Sequence, residues 1–276
     1  MSGQTVLGSK SVEKLSGPDL MEIAKDSVVR ISSKLETGGG HGSAFAYKQV
    51  MTDTGSTVYF LTNLHNFYSV LPLYQNVMWL ASQGRSDDEL LIKTTIDFRG
   101  KAFAVDKIIA CRGALFATSH RWFQDFAVFS VNTDIREEVK MFALPEANDA
   151  RPGETVYAFG FPDDTDLGIT EGIISHVYHD HDNPDLHHQI QHSILINPGN
   201  SGGPTVNANG VAVGMSTWGT NRSKRSGRQL SGMNFSVNVA HTFEICRDND
   251  LIEEVSMERL YQHFVARARE YFKYGS

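Results

Sequence analysis

One serine in this chain stands where a hydroxyl can act as a nucleophile. The apolar run Ile194, Leu195, Ile196 breaks into Asn197, Pro198, Gly199, Asn200, Ser201, Gly202, Gly203 and Pro204. Glycines on either side of Ser201 permit a tight turn in which the amides of Gly199 and Ser201 point into one space, the arrangement that holds an oxyanion during acyl transfer. The same residue types also build ordinary turns, so this reading requires partners. A serine hydroxyl becomes reactive when a histidine takes its proton and an acid fixes that histidine's tautomer. Two β-rich runs supply candidates: residues 58–66 carry His65 where the strand gives way to a polar position, and residues 124–131 carry Asp125 ahead of an apolar stretch. His41, after three glycines, and Asp53, before a Thr-Gly turn, read as residues of solvated loops. Asp97, in a strand-like run at 95–98, is the main competitor for the acid.

The elements that must position these groups are short β-rich runs broken by Gly, Asp and Asn, recurring to about Val239, the pattern of an all-β sandwich or barrel. The order His, Asp, Ser along the chain is that of the chymotrypsin branch rather than of subtilisin or the α/β-hydrolases. Several segments extend the likeness in the same order: Ser27 to Ile31, Gly42-Ser43-Ala44-Phe45, Thr62-Asn63-Leu64-His65, Asp125-Phe126-Ala127-Val128, Gly153 to Pro162, Thr170 to Ser175, the serine motif, and Asn234 to Val237. Over about residues 26 to 247 the chain resembles a trypsin-fold serine peptidase, closest to the HtrA/Deg-type branch.

That resemblance implies an all-β fold of two six-stranded antiparallel barrels, at about 26–132 and 152–240, with the active cleft between them. It implies a peptidase domain over 19–247 and hydrolysis of peptide bonds by a triad of His65, Asp125 and Ser201 through an acyl-enzyme; residues 1–18, rich in Ser and Gly, read as a mobile leader ahead of it. The oxyanion hole would be the Gly199 and Ser201 amides. Thr217, Trp218 and Gly219 resemble the segment that pairs with the substrate backbone and walls the specificity pocket, and Ile194 and Leu195 would floor it. An apolar floor without an acid points to cleavage after apolar or small residues. No cofactor or metal is implied. The rival reading is a latent or non-catalytic trypsin-fold binding module that needs a partner. HtrA proteins continue into a PDZ domain, and the expectation here is a form without one.

Composition bounds the rest. With 276 residues the chain can bury a full core. A formal net charge of -7 argues against binding nucleic acid through its phosphates. One basic cluster, Arg222 to Arg228, follows the Trp218 segment, where it would either attract acidic substrate residues or shield a strand edge. Cys111 and Cys246 are too few for a disulfide framework, which suggests a reducing compartment. The first residues lack a continuous apolar core, and no run is long enough to span a bilayer, so the expected location is cytoplasmic.

Three segments remain. Pro18 and Asp19 open a short helix to about Lys25, and residues 133–151 lean helical as a crossover between the barrels. Residues 249–274 read as a C-terminal helix whose stripe of Leu251, Ile252, Val255, Leu260, Tyr261, Phe264, Val265, Ala268 and Phe272 packs on the second barrel or meets an activating partner or a second copy. His176, His179, His181, His187, His188 and His192, interleaved with Asp180, Asp182 and Asp185, show no metal-binding spacing and read as a solvated connection.

Overall fold

The computed structural model describes residues 14–35, 38–67, 93–115, 124–147, 150–179, 188–222, 229–263 and 266. Helix α1 (Gly17–Ser27) starts where Ser16 and Asp19 form a capping box and Pro18 occupies the first turn, satisfying amides the helix cannot. It buries Leu20 and Ala24 and runs directly into the first strand.

Two sheets follow. The first joins β1 (Val28–Leu35), β2 (Gly38–Thr52), β3 (Gly55–Thr62), β4 (Lys93–Phe98), β5 (Lys101–Ala104), β6 (Lys107–Cys111), β7 (Ala127–Thr133) and a late strand, β14 (Ile252–Ser256), in the order β14-β6-β7-β3-β2-β1-β4-β5. Its core is aromatic: Phe60 stacks on Phe129 at 5.3 Å and meets the Phe98 ring edge-on at 5.4 Å. The second sheet closes into a six-stranded barrel, ordered β10-β13-β12-β11-β8-β9. Its members are β8 (Thr155–Gly160), β9 (Gly168–Val177), β10 (Gln189–His192), β11 (Pro204–Asn207), β12 (Ala212–Arg222) and β13 (Gln229–Asn238). Helix α2 (Val239–Arg247) leaves β13 under an Asn238 cap.

Three expectations need correction. The first unit is an eight-stranded sheet, open between β14 and β5 among the described residues, rather than a six-stranded barrel of residues 26–132 alone. The segment expected to begin a helix at 249 instead pairs Ile252 to Ser256 with Cys111 to Lys107, satisfying the backbone edge of β6. Val255 is thereby buried while Leu251 is exposed, and residues 257–263 turn helical to bury Met257, Leu260 and Tyr261 in the larger hydrophobic core. The Tyr261 hydroxyl anchors them with a 2.6 Å hydrogen bond to Thr94 Oγ1. Phe264, Val265, Ala268 and Phe272 lie outside the described residues. The crossover at 133–151 is not helical where described. It runs as a strap, because Val139 and Phe142 are drawn into the core and its amides find side chains: Val139 N–H donates to Gln49 Oε1 and Lys140 N–H to Asp26 Oδ2.

Candidate active site

Strand pairing brings the base and acid candidates together. β3 and β7 are antiparallel, with Thr62 opposite Ala127. His65 therefore leaves the end of one strand beside Asp125 at the start of the other, in a single 3₁₀ turn (Leu64–Phe67). His65 Nδ1 lies 2.6 Å from Asp125 Oδ2, and the His65 backbone N–H donates to Asp125 Oδ1 at 2.9 Å. One carboxylate thus fixes both the ring and its backbone, and it is buried while the imidazole keeps an exposed edge. Asn63 closes the group from behind: its Nδ2 donates to the Asp125 carbonyl at 2.9 Å and to Thr217 Oγ1 at 3.2 Å.

The serine turn needs its glycines. Gly199 has φ +97, and a Cβ there would lie 2.1 Å from the Phe161 carbonyl oxygen. Gly202 has φ +87, and its Cβ would lie 2.1 Å from the Ser43 carbonyl oxygen. Both conformations sit in the left-handed region that side chains avoid. The turn is pinned from the first sheet, since the Ser201 carbonyl accepts from Ser43 N–H at 2.8 Å and from Asn66 Nδ2 at 2.9 Å. The amides of Gly199 and Ser201 have no acceptor among the described residues, so both are available to an oxygen in the cleft. The Ser201 hydroxyl donates to the Thr217 carbonyl at 3.1 Å and makes no hydrogen bond to His65.

Beside Ser201 opens a pocket of about 610 Å³, lined among others by Leu195, Ile196, Trp218, Gly219 and Asn234. Trp218 is held flat by stacking on Phe235 at 4.2 Å, and its indole N–H donates to Gln189 Oε1 at 3.0 Å. Thr217 joins the lining, whereas the expected floor splits: Leu195 stands 62% exposed at the mouth and Ile194 is buried in the second barrel. No charged side chain lines the pocket among the described residues.

Three other candidates move. His41 is not in a solvated loop: it belongs to β2, opposite Ser32, and its Nε2 lies 2.7 Å from where a Gly199 Cβ would be. Asp97 is exposed on β4 opposite Arg30, and so plays no part beside His65. His192 is not solvated but 1% exposed, on β10 with Nε2 2.9 Å from Ser236 Oγ. Burial pushes its pKa down to about 4, a shift only partly opposed by the nearby Ile194 backbone. His176 and His179 are exposed, while His181, His187, Asp180, Asp182, Asp185 and the basic residues at 224, 225 and 228 lie outside the described residues. No cluster of metal-binding side chains occurs among the described residues, and no helix there is long and apolar enough to cross a membrane.

Sequence reasoning passed over Ser43, Asn66 and Phe161 as working residues. The signal for Ser43 was the Gly-Ser-x-Phe segment itself, whereas the roles of Asn66 and Phe161 rest on contacts to Ser201 and Ser43 far away in the chain.

The family described as trypsin-like peptidase domain matches residues 42–215, a span that includes His65, Asp125 and Ser201. Protease Do-like 5, chloroplastic, of Arabidopsis thaliana is 33% identical over 118 residues, 42% of this chain and 36% of its own length. Serine protease Do-like HtrA of Bacillus subtilis is 33% identical over 144 residues, 50% of this chain and 30% of its own. This chain therefore spans about a third of the length of these relatives. Among solved structures, the HtrA-type protease AlgW with tripeptide superposes with TM-score 0.55 at 22% identity, covering 84% of this chain and 62% of that one.

Proposed function

Because this chain belongs to the trypsin-like peptidase family, we propose that it is a serine endopeptidase acting on peptide or protein substrates through His65, Asp125 and Ser201. The observation that carries the reading is the double hydrogen bond from His65 to the Asp125 carboxylate, at 2.6 Å to the ring and 2.9 Å to the backbone, beside a serine turn with two unoccupied amides. In this reaction the Ser201 hydroxyl swings from the Thr217 carbonyl to His65 Nε2. The imidazole takes its proton as Oγ attacks the scissile carbonyl, and Asp125 stabilises the imidazolium. The Gly199 and Ser201 amides receive the oxyanion. His65 then protonates the leaving amine, and a water molecule, deprotonated by the same imidazole, hydrolyses the acyl-enzyme.

The pocket beside Ser201 supports a preference for apolar or small residues on the acyl side of the cleaved bond, since its walls are Leu195, Ile196 and the Trp218 face. Asn234 adds an uncharged polar end. Location in a reducing compartment such as the cytoplasm belongs to the same reading, supported by Cys111 and Cys246 not being joined in a disulfide.

Treatment with a fluorophosphonate, followed by peptide mapping, tests the function. Covalent modification confined to Ser201, abolished in Ser201→Ala and accompanied by hydrolysis of a denatured protein substrate, is the expected result. A wild-type protein that neither labels nor hydrolyses would refute it.

A further inference from the structure

We propose that the Ser43 hydroxyl is a positioning residue for the reaction, holding the Gly199 amide at the angle an oxyanion requires; the proposal rests on the peptidase reading above. Ser43 is fully buried, 156 residues upstream of Gly199 in the chain, and its Oγ donates to the Gly199 carbonyl at 2.7 Å. The same oxygen accepts from the Phe161 N–H at 3.1 Å. Its backbone takes part as well, donating to the Ser201 carbonyl and accepting from Thr62 Oγ1 at 2.6 Å. Any residue could make the backbone contacts; the hydroxyl is what serine alone adds.

The need for that hydroxyl follows from Gly199. At φ +97, without a Cβ, its two flanking peptide planes are free to rotate unless both are tied. One plane carries the Pro198 carbonyl and, on its opposite edge, the Gly199 N–H. It is tied by Asp163, whose N–H donates to the Pro198 carbonyl at 2.7 Å from a left-handed backbone at φ 50. With that carbonyl engaged, the N–H of the trans peptide faces the opposite way, where no described residue accepts from it. The second plane carries the Gly199 carbonyl and the Asn200 N–H: Ser43 Oγ ties the carbonyl edge, and the Asn200 N–H donates to the Asn197 carbonyl at 3.0 Å. Phe161 connects the two ties, because its N–H is held by Ser43 and its carbonyl fills the space beside the Gly199 Cα. Phe161 is itself braced by the Arg30 guanidinium 5.0 Å above its ring. The fit is close: a Cβ on Gly160 would lie 2.8 Å from Ser43 Oγ.

Ser43→Ala removes the hydroxyl and leaves the Gly199 carbonyl and the Phe161 N–H without it, which loosens the Gly199 amide while Asp163 still holds the Pro198 carbonyl. A fully lost oxyanion donor lowers kcat by about a hundred- to a thousand-fold, and an amide that is loosened rather than deleted is expected to cost roughly ten- to a hundred-fold. The assay measures kcat and KM of wild type and Ser43→Ala on one peptide, with sites counted by fluorophosphonate titration. Affinity for a peptide aldehyde, whose adduct with Ser201 places an oxyanion in the hole, is measured alongside.

The expected result is a fall in kcat per titrated site, KM within about threefold, and a loss of aldehyde affinity matching the loss of kcat/KM. An unchanged pH profile would accompany it, because His65 and Asp125 are untouched. A Ser43→Ala protein with fewer titratable sites but wild-type kcat per site would overturn the proposal, leaving Ser43 a folding residue. Wild type and variant with equal kcat would overturn it as well, with the peptidase reading intact. A wild type that neither labels nor turns over would overturn both.

Discussion

The buried His192 makes the stability of this protein depend on pH, with a sign that can be worked out. Its ring is enclosed in the second barrel, with Nε2 on Ser236 Oγ and Nδ1 outside normal hydrogen-bond geometry. Ser236 Oγ is also within 2.7 Å of Thr205 Oγ1, so the ring joins a chain of hydroxyls rather than a carboxylate. Burial outweighs the one opposing contribution, from the Ile194 backbone, and the folded pKa falls from the ordinary 6.5 to about 4. Below pH 6.5 the unfolded chain takes up a proton that the folded chain refuses. Stability from this group is therefore complete above about pH 6.5 and is lost as pH falls toward 4, by about 3 kcal/mol in all and about 2 kcal/mol by pH 5.

The assay is urea unfolding, followed by tryptophan fluorescence, of wild type and His192→Gln at about pH 7.5 and about pH 5. Carboxylates titrate equally in both proteins, so the difference between them isolates the imidazole. Wild type is expected to lose about 2 kcal/mol relative to the variant over that interval, whatever their gap at neutral pH. Parallel curves would refute the reasoning.

Three further outcomes follow from single contacts. Gly199→Ala forces a Cβ to within 2.1 Å of the Phe161 carbonyl oxygen and must move the turn; kcat is expected to fall about 10²–10³-fold, and an unchanged kcat would contradict an oxyanion role. Asp125→Asn removes the charge that fixes the His65 tautomer and should lower kcat by about 10⁴ with KM nearly preserved, measured by steady-state hydrolysis; a loss under about tenfold would point to another acid. Tyr261→Phe deletes the bond to Thr94 Oγ1 and should cost about 1 kcal/mol, read as a fall of about 2–4 °C in Tm; no shift would mean that the C-terminal segment is not anchored there.

The residues proposed for chemistry were nameable from the chain because each sits in a local signal. Pro198, Gly199, Gly202 and Gly203 announce a strained turn around Ser201, and β-rich runs deliver His65 and Asp125 to strand ends. Backbone preference and side-chain chemistry are properties of neighbouring residues, so they survive in one dimension. The all-β character was legible for the same reason. Helix periodicity misled at 249–256, where Ile252 and Val255 fit a helical stripe but the free edge of β6 claims their backbone.

What only the tertiary structure decided is which distant atoms meet. The opposition of Thr62 and Ala127 sets His65 against Asp125. The bond from Ser43 to the Gly199 carbonyl spans 156 residues. The burial of His192, in a stretch that reads as polar and solvated, depends on β13 closing over β10. A residue's type states what it can donate, accept or protonate, but its partner and its exposure to water are set by strands that pair across long separations, and no local pattern carries that register.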